Sequence, residues 1–144
     1  MCIKRQVPSL ANEVSVNQYA AAKLAYTEAS VMTATPEQLV VMLYDGAIRF
    51  LHQAATALRE GRLSQSRERL HRAQAVIDEL NRSLDLRQGE SAYGLRSIYA
   101  FCLRHLIDST AASDPDGYEK IAELLTGLRE SWAEVEVGAE RQTA

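Results

Sequence analysis

Apolar residues recur along most of this chain at spacings of three and four, the period of one face of an α-helix. Leu39, Leu43, Ala47, Phe50, Ala54 and Leu58 form one stripe, and Val40, Tyr44, Ile48, Leu51 and Ala55 form a second beside it. So broad an apolar arc predicts the most buried helix of the molecule, over about residues 36–60. Its start is written as Thr35-Pro36-Glu37-Gln38: a capping hydroxyl, Pro at the first helical position and Gln three residues after the cap. Gly46 inside it costs about 1 kcal/mol relative to Ala, which a close helix approach would explain, and Gly61 supplies a stop. Leu70, Ala73, Ile77, Leu80 and Leu84 repeat at 3,4,3,4 and predict a helix over 64–85. Leu95, Ile98, Cys102 and Leu106, with Tyr99, Leu103 and Ile107 alongside, predict a third over 90–111. Asp114-Pro115 opens a fourth over 115–136, carrying Tyr118, Ile121, Leu125, Leu128, Trp132 and Val135.

The ends read differently. Residues 1–16 show no period and are expected to be a flexible lead. Residues 17–32 are Ala-rich, with Tyr19, Ala22, Tyr26 and Ala29 on one face, and are expected to be a short helical cap. Residues 138–144 are expected to fray. Four long helices joined by short loops make successive helices antiparallel neighbours. The expected fold is therefore all-α, an antiparallel up-down four-helix bundle in a single domain over 17–137, with the cap outside it.

Composition agrees with the pattern. Ala (21) and Leu (17) far outnumber Val (9) and Ile (6), which favours helix over strand. A length of 144 residues suits one domain, and 47% apolar with 24% charged residues excludes wholesale disorder. No apolar run approaches the ~18–20 residues of a membrane span, and the first residues carry no secretory pattern. The net charge of −3 argues against a general nucleic-acid binder. It conceals an uneven distribution, basic over 49–105 and acidic over 108–144. Cys2 and Cys102 cannot form a multi-bridge framework, so reduced cytoplasmic thiols are expected.

Little in the chain suggests catalysis. A dinuclear metal bundle needs two Glu-x-x-His motifs, and only Glu68-Arg69-Leu70-His71 is present. Cys102 and His105 lie three apart, but Cys102 falls on the core stripe, where a thiol is inert. His52 stands without an apparent partner. No phosphate loop or nucleophile elbow occurs. No enzyme activity, cofactor or metal is expected. The third helix instead carries more apolar surface than a bundle seam needs, since Phe101 and Leu103 cannot both share the stripe of Cys102. Such surplus suits a groove for a partner's amphipathic helix, and ordinary core filling is the alternative.

Residues 33–47, Thr-Ala-Thr-Pro-Glu-Gln-Leu-Val-Val-Met-Leu-Tyr-Asp-Gly-Ala, closely resemble the signature of FliS-type flagellar secretion chaperones. Residues 73–85 resemble that family's second helix, Gly89-Glu90-Ser91-Ala92 its loop, residues 98–106 its third helix, and Leu128-Arg129-Glu130-Ser131-Trp132 its closing motif. The resemblance departs at Ser91, Ala100 and His105, where the family favours an apolar, an acidic and an Arg residue.

The resemblance implies a cytoplasmic bundle that binds the disordered C-terminal segment of flagellin, prevents early polymerisation and assists delivery to the flagellar export gate. Leu39, Leu43, Ala47 and Phe50 are expected in the core. Ile77, Leu80, Asn81, Leu84, Tyr99, Leu103 and Leu106 are the groove candidates. Tyr19 and Tyr26 are similar to the family's N-terminal tyrosines, associated with capping the groove and docking at the export gate. A bundle serving another export substrate, or a metal-binding bundle, are the alternatives.

Overall fold

The computed structural model of the chain describes residues 31–84, 87 and 89–143. Among these the secondary structure is helical, without strands, in four long helices. They are α1 (Pro36–Arg59), α2 (Leu63–Arg82), α3 (Glu90–Ala111) and α4 (Pro115–Thr143). The all-α bundle expected from the periodicity is the observed fold. The lead and most of the cap, with Tyr19 and Tyr26, lie outside the described residues.

The first cap forms as its sequence dictates. Thr35 Oγ1 accepts from the Gln38 backbone N–H at 3.1 Å, and Gln38 Oε1 accepts from the Thr35 N–H at 3.0 Å. Two otherwise orphaned donors are satisfied reciprocally. Just before the cap, Val31 is fully buried in the core. At the other end of α1 the Arg62 N–H reaches back to Ala57 O at 2.8 Å and the Gly61 N–H to Leu58 O at 3.1 Å. That closure needs a left-handed residue between them, and Gly61 supplies it with φ 78°. The same closure ends α3, where Asp114 N–H meets Ser109 O at 2.8 Å, but the left-handed residue is Ser113, φ 52°.

Two boundaries differ from expectation. α2 ends at Arg82 rather than 85. α4 runs to Thr143, past the end expected at 136. Its apolar spacing stops at Val135, but backbone hydrogen bonding continues without a breaker, because no Pro follows.

Cross-helix contacts fix the directions. Ser66 Oγ donates to Ala54 O at 2.8 Å and Arg72 lies over the Phe50 ring, so α1 and α2 run antiparallel. Asp45 meets Arg129 while Arg59 meets Asp116, so α1 and α4 are antiparallel too. Thr110 and Tyr118 hydroxyls bond at 2.8 Å across the α3–α4 turn. α1 packs extensively on both α2 and α4, as its double stripe predicted, and buries Leu39, Leu43, Ala47, Phe50 and Gly46. α3 closes the ring between α2 and α4 and is held more lightly by both. Its tightest point is Gly117 of α4, where an added Cβ would stand 2.6 Å from Ser109 Cβ. Only hydrogen fits there, so α3 and α4 nearly touch at their shared turn.

Candidate functional site

The buried side of α3 places Ala92, Tyr99, Cys102, Leu106 and Ser109 inward. Large apolar side chains remain on its outside: Tyr93 is 54% exposed, Phe101 52% and Ile107 57%. Three of the five exposed large hydrophobic residues of the described chain therefore belong to its most lightly packed helix. Phe101 stacks on the His105 ring, centroids 5.6 Å apart.

The groove candidates divide between two depths. Ile77, Leu80, Tyr99 and Leu106 are sealed in the core. Asn81, Leu84 and Leu103 are half-buried and reach the surface. Asn81 Oδ1 is buried and has no hydrogen-bond partner among the described residues. Such an acceptor costs roughly 1–3 kcal/mol until a donor arrives. Tyr93 escaped the sequence reading. The signal for it was a second run of three-and-four spacing along α3, Tyr93, Arg96, Ala100, Leu103 and Ile107, out of phase with the core stripe.

The segments that carry the resemblance come together in space. The Tyr44 and Tyr99 hydroxyls are hydrogen-bonded inside the core, with ring centroids 6.5 Å apart. The Trp132 side chain hydrogen-bonds Tyr44 as well, so one polar chain ties α1, α3 and α4. Burial pushes both phenols above their ordinary range, and both stay protonated. One position along, Asp45 Oδ1 accepts from Arg129 Nε at 2.9 Å in a half-buried pair. The Tyr44-Asp45 and Arg129–Trp132 motifs are thus two halves of one α1–α4 contact.

At the opposite end, the expectation that His52 stands alone is overturned. Its Nδ1 is hydrogen-bonded to Glu119 Oε1, 67 residues away. Arg59 donates to Glu119 Oε2 at 3.0 Å and to Asp116 Oδ1 at 2.7 Å. Partial burial pushes the Glu119 carboxyl up, but the hydrogen bonds from Arg59 and His52 outweigh it and hold the group below its ordinary range.

None of this is arranged for chemistry. Burial pushes the Cys102 thiol up to about 11, far from a reactive thiolate. Glu68 is engaged by Arg72 at 2.6 Å, on the solvent side of α2 with His71. Among the described residues no three His, Cys, Asp or Glu side chains are grouped to hold a metal. No helix among them is long and apolar enough to cross a membrane.

Among the described residues the resemblance motifs are spent on internal contacts, and most of the exposed large apolar side chains lie on α3. The family model described as flagellar protein FliS matches residues 17–139. The chain belongs to the FliS family. The flagellar secretion chaperone FliS of Salmonella typhimurium is 34% identical over 110 residues, 75% of this chain and 82% of that protein. That of Bacillus subtilis is 32% identical over 108 residues, covering 75% and 80%. That of Campylobacter jejuni is 30% identical over 112 residues, covering 77% and 88%. FliS proteins are chaperones rather than enzymes. A flagellar secretion chaperone implies a flagellar export substrate as its partner.

Proposed function

We propose that this FliS protein is a cytoplasmic chaperone of flagellin, binding its C-terminal segment, preventing premature polymerisation and presenting the subunit to the flagellar export gate. The observation that carries this is α3, lightly held by its neighbours, with Tyr93, Phe101 and Ile107 exposed. An exposed apolar helix face of this kind receives amphipathic helices. Asn81, Leu84 and Leu103 form the reachable rim of the groove, above Ile77, Leu80, Tyr99 and Leu106. A segment that binds here buries the stripes through which it would otherwise meet other subunits. Tyr19 and Tyr26 are assigned to covering the empty groove and to export-gate contact.

The test is co-purification with full-length flagellin and with flagellin lacking its C-terminal ~40 residues, a stretch that spans about 60 Å as helix. Only the full-length protein is expected to be retained. Equal retention of both rejects the terminal-segment mechanism.

A further inference from the structure

The outward row on α3 has the spacing of a helix-packing seam. Tyr93, Arg96, Ala100, Leu103 and Ile107 follow at 3,4,3,4, all exposed or half-buried. A stripe of this period, on a helix already anchored by its other side, accepts one further helix in side-by-side packing. The row is not purely apolar: Arg96 sits within it and Arg104 flanks it, one residue beyond Leu103.

Like Arg67 on α2, those two arginines have no carboxylate partner among the described residues, but they alone of the three lie on or beside the row. Arg59, Arg62, Arg69, Arg72, Arg82 and Arg129 each meet a carboxylate. Arg96 and Arg104 are exposed and meet none among the described residues. Asp108 and Glu90 lie further round the helix, beyond Arg104 and away from the row. A guest helix seated on the row therefore finds two unneutralised guanidinium groups, one beneath it and one at its edge.

The geometry points to a guest of defined chemistry: a helix of the flagellin C-terminal segment, apolar at heptad positions, with carboxylates set to meet Arg96 and Arg104. This rests on the flagellin reading above and adds the seam, the residues and the charge pattern of the guest. The apolar row supplies contact area, and the two arginines fix register and polarity, because a helix slid by one turn carries its carboxylates past both cations. Charge complementarity of this kind sets specificity and association rate more than area does.

The test is titration calorimetry of the full-length chaperone with the cognate flagellin C-terminal segment, at low and high salt. The double variant R96E/R104E is expected to bind about tenfold or more weakly, and the gap to close as salt is raised. The double reversal Arg67→Glu with Lys120→Glu, at exposed positions of α2 and α4, shifts the net charge equally and is expected to bind as wild type, separating a local effect from a net-charge effect. Circular dichroism melts confirm folding, since neither arginine contacts the core. A flagellin segment with its acidic residues changed to Lys is expected to prefer R96E/R104E. Equal affinity of wild type and R96E/R104E overturns the seam while leaving the flagellin reading intact. Failure of the wild-type chaperone to bind the segment at all overturns both.

Discussion

Two phenols bonded to each other in an apolar core are a costly arrangement if either loses its partner. Tyr44 is fully buried and Tyr99 1% exposed, so water cannot replace a missing hydroxyl. Tyr44→Phe strands both the Tyr99 hydroxyl and the Trp132 side chain, and is expected to cost roughly 1–3 kcal/mol. Tyr99→Phe leaves Tyr44 its bond to Trp132 and is expected to cost less. The double variant should lose less than the sum of the two, because the second change removes an already orphaned group. Urea unfolding of the four proteins checks the order; additive losses would mean the hydroxyls are not coupled. None of this was legible in the sequence. Periodicity placed Tyr44 on a secondary stripe and Tyr99 in a groove, since spacing reveals which face a residue takes but not which hydroxyl it meets 55 residues away. Cys102, by contrast, needed only its face to be read correctly as buried and inert.

At the scale of elements, the α1–α4 seam is bracketed by charge: Asp45 with Arg129 at one end, His52 and Arg59 with Glu119 and Asp116 at the other. Glu119 is hydrogen-bonded by both Arg59 and His52, and its carboxyl titrates lower in the folded chain than in the unfolded one, whose ordinary value is 4.5. A lowered carboxyl contributes stability above the unfolded value, and loses it as pH falls through the folded one. Thermal stability is therefore expected to fall below about pH 4.5, and Glu119→Gln to lower it near neutrality but flatten that acid limb. Melts between pH 3 and 7 (a range set around the carboxylate reference values) read this directly; parallel limbs would remove Glu119 from the seam's energetics. The elements themselves were legible where a residue type has one backbone use: Thr35 with Gln38, Gly61, Pro115. They were not where the backbone simply continues, as in α4 to Thr143, or where Ser113 takes a conformation its composition does not advertise. His52 was misread because its partner lies on a helix whose register against α1 no local spacing reveals.

Across the whole molecule, packing among the described residues is unequal, and α3 is the helix held least. α1 is clasped by α2 and α4, while α3 is held at its C-terminal turn, by Gly117 against Ser109 and by Thr110 to Tyr118, and mid-helix by the tyrosine pair. Its N-terminal half begins at Gly89, with φ 96° and no side-chain cap. Segments with few buried contacts open at lower free energy than the rest of a domain. The surplus apolar content of the third helix was visible in its composition. Which part of it stays outside was not, because the core stripe and the outer row use the same spacing and only packing against α2 and α4 separates them. Hydrogen exchange followed by mass spectrometry should show α1 amides best protected and residues 90–98 of α3 exchanging fastest among the four helices. If a flagellin segment docks on α3 as proposed, its binding should slow exchange in α3 far more than in α1. Uniform protection of all four helices in the free chaperone would mean α3 is as firmly held as α1. A slowing confined to α1 or α4 would place the guest on another face.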